Sequence, residues 1–364
     1  MLQVTCEGTP YEIGYHHGRL AKALVEKNLE FSMTFIRGSN KRAPSAIDTV
    51  VHQLQQSIQS QWPRYYEEMQ GLADGAGRSL AEIVLLNTRT ELAYGLAGDG
   101  CTSVYARGEH HAWQGQNWDF LVQPKDHLIQ LTIHQPAVPS IMMITEAGLI
   151  GKIGINSAGV GVNYNALHVR GFRPSGLPSH LALRMALESP SAAAAVQAIT
   201  AQEGMAASAF ILVGDRTEAR GIEFTYCDIA VQSPNPKGHL VHTNHCLLPH
   251  LPQVVETDPL PDSWTRDQRM NALLNQFDGS EQQFLQLWED EDNYPRGICR
   301  AMAYGKSRGE TLFNIVTNLT EGKAIVRVGR PIEPEETLVL EFAAKDRSFM
   351  AGQGLLQKPP PATV

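Results

Sequence analysis

The sequence predicts a layered α+β fold in which helices pack outside stacked antiparallel sheets. Three observations carry that expectation. Residues up to about 98 show helical periodicity, residues beyond 100 break into many short strands, and the later helical stretches are grouped between those strands.

The helical part comes first. Across residues 11–35 the apolar side chains Ile13, Leu20, Leu24, Val25, Leu29 and Phe35 recur at three- and four-residue steps. Segments 47–58 and 65–72 repeat the pattern, with polar joints such as residues 38–42 between them. Ser79-Leu-Ala-Glu82 has capping-box spacing and opens a helix through Ile83, Val84, Leu85 and Leu86. Strand-like runs then follow at 101–106, 111–118, 128–135, 141–146, 153–155, 160–163, 210–213, 221–225 and 229–232. Helical stretches at 179–187 and 191–202 interrupt them, and a third lies at 264–277. Runs at 313–316, 324–328 and 337–342 complete the sheet, and the proline-rich stretch 358–362 reads as an extended tail.

A chain of 364 residues would ordinarily suggest two domains at roughly 150 residues each. No linker, repeat or composition shift shows where two domains would part. With 43% hydrophobic and 19% charged residues the composition is globular, and the chain is long enough to bury a large core. A net charge of -8 without a Lys/Arg run argues against a nucleic-acid partner. No stretch approaches the roughly 18 apolar residues of a membrane span, so no membrane association is expected. The first residues lack the basic-then-apolar pattern of a secretory signal. Cys6, Cys101, Cys227, Cys246 and Cys299 are an odd, scattered set, which points to reduced thiols and a cytoplasmic protein.

Several chemistries lack their signature. Gly154-Ile-Asn-Ser157-Ala-Gly159 has the wrong spacing for a serine nucleophile elbow. There is no phosphate-cradling G-x-x-x-x-G-K-[ST] loop and no C-x-x-C or H-E-x-x-H metal pattern. Histidines are densest at His239, His242, His245 and His250, beside Cys246. On a strand, residues three apart point to opposite faces, so His242 does not converge with His239 and His245. No metal and no cofactor are expected.

The most informative segment is Asp99-Gly100-Cys101-Thr102. It places a cysteine where helical texture becomes strand texture, directly after a glycine whose missing side chain allows a close approach to the thiol. One hairpin later, Gly115-Gln-Asn117-Trp118-Asp119-Phe120 supplies a carboxylate. These two segments resemble those of the acyl-CoA:6-aminopenicillanic acid (isopenicillin N) acyltransferase family, a self-cleaving group of N-terminal-nucleophile hydrolases. Further segments occur in the family order: Gly8-Thr-Pro-Tyr-Glu-Ile-Gly14-Tyr-His-His-Gly18, Gly154 to Asn163, His242-Thr-Asn244-His, Ile298-Cys-Arg300 and Val328-Gly-Arg-Pro331. The sequence departs from the family where Ala301 follows Arg300, a position at which members often carry histidine.

The resemblance implies a single four-layer αββα domain over residues 1–364. It implies self-cleavage between Gly100 and Cys101, leaving an α-like chain 1–100 and a β-like chain 101–364 that stay associated. Cys101 would then be both nucleophile and, through its new α-amine, base. By family position Asp119 orients that amine, Asn244 donates to the oxyanion, and Arg300 pairs with Asp119. Asn117, Trp118, Asn156, Asn163 and Tyr164 are candidates for the pocket wall. Cys227, Cys246 and Cys299 lack a preceding glycine and read as buried thiols. The implied activity is hydrolysis of a small acyl or aminoacyl amide, such as a β-alanyl amine, through a thioacyl-enzyme. Transfer of an acyl group from a CoA thioester is the alternative, and a non-catalytic binding protein on the same fold is a further one. Transfer would call for a basic groove, and no basic cluster stands out along the chain. Assembly into a homo-oligomer stays open.

Overall fold

The computed structural model describes residues 1–39, 44–93, 100–257 and 260–343. Gly98, Asp99, most of the polar joint at 38–42 and the tail at 358–362 lie outside the described residues. The chain begins with β1 (Leu2–Glu7) and the helices α1 (Pro10–Leu20), α2 (Lys22–Ser39), α3 (Pro44–Gln61), α4 (Pro63–Ala76), α5 (Leu80–Asn87) and α6 (Arg89–Leu92). Strands β2 (Thr102–Arg107), β3 (Ala112–Leu121), β4 (Leu128–His134), β5 (Ile141–Glu146), β6 (Ile153–Asn156), β7 (Gly161–Ala166) and β8 (Val169–Arg170) follow. Then come α7 (Ser179–Leu187), α8 (Ala192–Thr200), β9 (Ala209–Gly214), β10 (Ala219–Phe224), β11 (Ile229–Gln232), β12 (His239–His242) and β13 (Val255–Glu256). Helices α9 (Asp262–Leu274) and α10 (Glu281–Gln286) precede β14 (Gly309–Asn318), β15 (Lys323–Val328) and β16 (Glu336–Glu341).

Among the described residues, eight strands form one sheet in the order β1-β4-β5-β6-β7-β9-β10-β11, and six form another in the order β12-β2-β3-β14-β15-β16. Helices α7 and α8 cover the outer face of the larger sheet, and α9 covers β2 and β12. Strands β2 and β3 meet β7 and β9 between the sheets. The layers therefore run αββα, as the resemblance implies. Every residue of β3 from Ala112 to Phe120 is buried, because this central strand is covered on both faces. A single hydrophobic cluster extends from Val4 through Val25, Leu72, Ile153 and Ile211 to Phe342, so the helical part and the sheets share one core.

Several features differ from the sequence reading, which did not include α6, α10, β8 or β13. The edge strand β1 was not foreseen, and it pairs parallel to β4, so the larger sheet is not wholly antiparallel. The helix read across residues 11–35 is two helices, parted at Ala21, whose N–H caps α1 by donating to the His17 carbonyl. Helix α9 begins at Asp262, two residues before the expected start, which brings an acidic residue to its N-terminus. The capping box at Ser79 and Glu82 forms as read, and Thr9 and Glu12 make a second one at the start of α1.

The glycines of α1 allow backbone contact with α4. A Cβ on Gly14 would lie 1.9 Å from the Glu68 carbonyl oxygen, and one on Gly18 would lie 2.3 Å from that of Leu72. A Cβ on Gly71 or Gly75 of α4 would in return lie 2.0 Å from the Tyr11 or 2.2 Å from the Tyr15 carbonyl oxygen. A methyl group at any of the four must push the helices apart. Gly71→Ala is expected to destabilise the fold by at least about 1–3 kcal/mol. Urea unfolding tests this, and an unshifted midpoint would contradict the close-packed crossing.

Candidate active site

Cys101 sits buried immediately before β2, and pairing of Thr102 with Asn117 fixes it beside β3. Its Sγ lies 3.9 Å from the Asp119 carbonyl oxygen. Its own carbonyl oxygen accepts from Arg266 Nη1 at 2.6 Å and from Asn165 Nδ2 at 3.3 Å. The residue is thus held by its backbone. Gly100 is required by what lies on it: a Cβ there would fall 2.3 Å from Arg300 Nε and 2.5 Å from Arg300 Cζ.

Asp119 points from β3 to the side opposite Trp118, towards β14 and the loop before it. A register shift between Thr311 and Phe313 sets Thr311 opposite Asp119. The bulge aims the hydroxyl at the carboxylate. Thr311 Oγ1 donates to Asp119 Oδ1 at 2.6 Å and accepts from the Arg300 backbone N–H at 3.1 Å. Arg300 Nε donates to Asp119 Oδ2 at 3.3 Å, and its Nη2 donates to Asp262 Oδ2. Asp262 Oδ2 also accepts from Arg266 Nε at 2.9 Å, across one turn of α9. The four charges alternate along a chain from Asp119 through Arg300 and Asp262 to Arg266, which ends on the Cys101 carbonyl.

The two carboxylates titrate in opposite directions. Burial pushes Asp119 up to about 6, against the pull of Arg300 and Arg266. Asp262 is desolvated too, but Arg266 and Arg300 outweigh that and hold it below its ordinary range.

Gly100, Cys101, Asp119 and Arg300 therefore converge. Asn244 joins them indirectly: its Oδ1 accepts from Arg266 Nη2 at 2.9 Å, while its Nδ2 donates to the Ala166 carbonyl at 3.0 Å. None of the five pocket-wall candidates lines the cavity that reaches Arg300. Asn117 donates to the Trp288 and Ile298 carbonyls, Asn156 to those of Leu187 and Ser189, and Asn163 to that of Gly115. They pin buried backbone. Trp118 and Tyr164 are core aromatics, with Lys152 Nζ 4.4 Å above the Trp118 ring.

Arg266, Asp262, Thr311 and Asn165 were not singled out in the sequence. Also passed over was Gly305-Lys-Ser307-Arg-Gly309, which does have elbow spacing. It enters β14 rather than a helix, and Ser307 Oγ donates to the Gly309 carbonyl at 2.8 Å, so it is a turn.

β12 ends at His242, so the strand argument covers His239 and His242 alone. His242 stacks on Phe210 and meets Glu223 at 2.9 Å, whereas His245 stacks on Trp264. His250 does return to Glu223, and with Cys246 these residues bring ligand atoms within 4.8 Å of one another. The Glu223 carboxylate is already occupied by His242, His250 and the Leu247 and Leu248 N–H groups. The group locks the loop after β12. Burial pushes Cys6 and Cys246 up to about 12 and Cys299 to about 11, far from thiolate chemistry. Cys299 is buried as expected, while Cys227 and Cys246 are only half-buried.

Arg266→Met removes the cation between Asp262 and the Cys101 carbonyl. Leaving a buried carboxylate half-paired costs about 3–5 kcal/mol. Chemical denaturation should show a loss of that order, and a loss below about 1 kcal/mol would contradict the charge chain.

Comparison with known proteins follows from this geometry. Residues 106–333 match the family model described as acyl-coenzyme A:6-aminopenicillanic acid acyl-transferase. The chain is 57% identical over 348 residues to an Emericella nidulans protein, "acyl-coenzyme A:6-aminopenicillanic-acid-acyltransferase 40 kDa form", covering 95% of this chain and 98% of that one. Among solved structures it is similar to a penicillin V acylase from Agrobacterium tumefaciens, with TM-score 0.41, 11% identity, and 68% of this chain and 87% of that one covered. It is also similar to a conjugated bile acid hydrolase from Clostridium perfringens, with TM-score 0.44, 12% identity, and coverage of 66% and 92%. No helix among the described residues is long and apolar enough to cross a membrane. The chain is an enzyme-family member, and it belongs to the acyl-coenzyme A:6-aminopenicillanic acid acyl-transferase family.

Proposed function

We propose that this chain is a self-processing cysteine acyltransferase that moves an acyl group from a coenzyme A thioester to an amine of the 6-aminopenicillanic acid kind, through a thioacyl group on Cys101. The relative's name favours transfer over the hydrolysis of a small amide that the sequence reading preferred. The observation that carries the reading is the clamped Gly100-Cys101 junction, with Arg300 lying on the glycine and Arg266 gripping the cysteine carbonyl.

Processing begins when the Cys101 thiol attacks the Gly100 carbonyl. The S–C bond forms, the C–N bond breaks, and the thiol proton goes to the departing nitrogen. Water then hydrolyses the thioester, giving a Gly100 carboxylate, the free thiol and a Cys101 α-amine. That amine has an ordinary pKa of about 7.7–8.0 and takes the thiol proton in catalysis. The thiolate displaces coenzyme A, which leaves as its thiol with that proton. The acceptor amine then attacks the thioacyl carbon and regenerates the cysteine thiol. In this reading Asp119 is the anion facing the new ammonium. Arg300 and Thr311 hold Asp119, and Asn244 donates to the oxyanion through the Nδ2 hydrogen that the Ala166 carbonyl does not use, a role whose loss costs about 10²–10³ in rate.

Intact mass spectrometry of the purified protein tests the cleavage. The wild type is expected as two chains, 1–100 and 101–364, and Cys101→Ala as one. An uncut wild type together with activity surviving in Cys101→Ala would overturn the reading.

The pH profile tests Asp119. Its carboxyl sits near 6 in the intact chain, and a new ammonium beside it favours the anion and draws that value down. The acid side of kcat/KM should carry two limbs, an upper one from the amine, which must be unprotonated to act as base, and a lower one at or below about 6 from Asp119, whose carboxylate is the working form. Asp119→Asn should lose the lower limb and about 10²-fold in rate or more. An unchanged lower limb in Asp119→Asn would remove the carboxylate from the mechanism.

A further inference from the structure

We infer that the loop from Arg296 to Arg308 is the site that binds the phosphate-bearing handle of the thioester donor, an assignment that rests on the acyl-transfer reading above. A cavity of about 590 Å³ is lined by Asp262 and Arg300 and by Arg296, Lys306 and Arg308. Phe35, Leu121 and Leu260 add apolar lining. A second cavity of about 600 Å³ adjoins it and shares Arg296, Lys306, Ser307 and Arg308. Met302 and Tyr304 line this outer space, and both side chains are exposed.

The charge pattern is what marks the site. In a chain of net charge -8, three exposed cations face one cavity, and among the described residues no ion pair joins any of them to a carboxylate. Arg296 donates its Nε to the Lys306 carbonyl at 2.7 Å, which turns its side chain across the loop and leaves the Nη groups for a ligand. Two guanidinium groups and one ammonium suit a polyphosphate, since arginine forms paired hydrogen bonds to phosphate oxygens and lysine adds a point charge. Concave, low-dielectric walls focus such a field. The Tyr304 ring offers a face on which a purine can stack. A long ligand laid along the two cavities places its anionic nucleotide end on the loop and its acyl end against Phe35, Leu121 and Arg300, the residue that touches Gly100. The basic cluster invisible along the sequence is assembled by one loop folded back on itself between α10 and β14.

The experiment compares one acyl group carried by two donors, its coenzyme A thioester and its N-acetylcysteamine thioester, which lacks phosphates and purine. The self-processed wild type and Lys306→Glu/Arg308→Glu are assayed with a fixed amine, with intact mass confirming that both are cleaved. Wild type is expected to prefer the coenzyme A donor, and the variant to lose at least about tenfold of that preference, mainly in KM. Adenosine 3′,5′-bisphosphate should inhibit the wild type competitively against the coenzyme A donor, less so at high salt, and should inhibit the variant weakly. Arg308→Gln with the same inhibitor gives a second reading if the double variant does not fold. An unchanged donor preference in a variant that still uses the coenzyme A thioester overturns the phosphate site and leaves the acyl-transfer reading standing. An equal loss with both donors also overturns it. A wild type that uses neither thioester but cleaves amides overturns the donor reading, and the site with it.

Discussion

The site depends on a row of buried charges. Asp119, Arg300, Asp262 and Arg266 come from β3, the loop before β14 and the first turn of α9, and each touches the next. Any one of them alone would be too costly to bury. As an alternating set of two anions and two cations they neutralise one another, and Thr311, Asn244 and the Cys101 carbonyl take the remaining hydrogen bonds. This makes the row a geometric constraint. Moving one member leaves a neighbour desolvated and half-paired, so the three elements are held in register with one another and with the strand that starts at Cys101. The glycine before the cysteine belongs to the same constraint, because Arg300 occupies the space a side chain would need.

A comparable logic joins the helical part to the sheets. Arg89 of α6 pairs with Glu146 of β5, which also receives Lys152 at 3.1 Å. Arg184 of α7 reaches Glu68 of α4 at 2.9 Å, and Ser179 gives both its N–H and its hydroxyl to Glu91. The Gly148 N–H donates to His17, and Asn28 and Asn87 donate to the carbonyls of Ala147 and Gly148. Burial lowers His17 to about 4, so it stays neutral and able to accept near neutral pH. Apart from the Lys152–Glu146 pair, these bonds bridge residues before 100 to residues after it, around one shared hydrophobic cluster. Under the proposed cleavage the two pieces would therefore remain together without a covalent link. Both segments contribute to the main hydrophobic cluster, and no boundary between them divides it.

How much of this was legible follows from where the information sits. Gly100, Cys101 and Asp119 could be read because a glycine before a cysteine at a strand start, and an acid one hairpin later, are local patterns. The capping box at Ser79 was legible for the same reason. Arg266 and Asp262 were not, since one salt-bridged turn at the start of a helix resembles many surface turns. Its meaning comes from Arg300, 38 residues away along the chain. Thr311 depends on a bulge that no composition signals, and Asn165 was passed over for its neighbours Asn163 and Tyr164. On β7 Asn163 and Asn165 share a face, and their places along the strand give Asn165 Nδ2 to the Cys101 carbonyl and Asn163 Nδ2 to that of Gly115, so a shift of two residues separates the site from its scaffold. The asparagines proposed for the pocket wall proved to satisfy buried carbonyls, which is what a fully covered sheet demands.

The split between the two carboxylates gives the row its chemical direction. Asp262 lies at the N-terminus of α9 between two arginines and stays ionised, so it is a fixed anchor for both cations. Asp119 shares Arg300 with it but is more deeply enclosed, and its charge is only marginally supported, near 6. A carboxyl raised in this way binds its proton more tightly folded than unfolded, so its ionisation subtracts stability as pH rises from about 4 through 6. The fold therefore carries a destabilising anion at neutral pH, one that a cation placed beside it would relieve. The proposed cleavage before Cys101 would create such a cation from the chain itself. On that view the raised carboxyl is the part of the intact site left electrostatically incomplete, and the new amino terminus is the group that completes it.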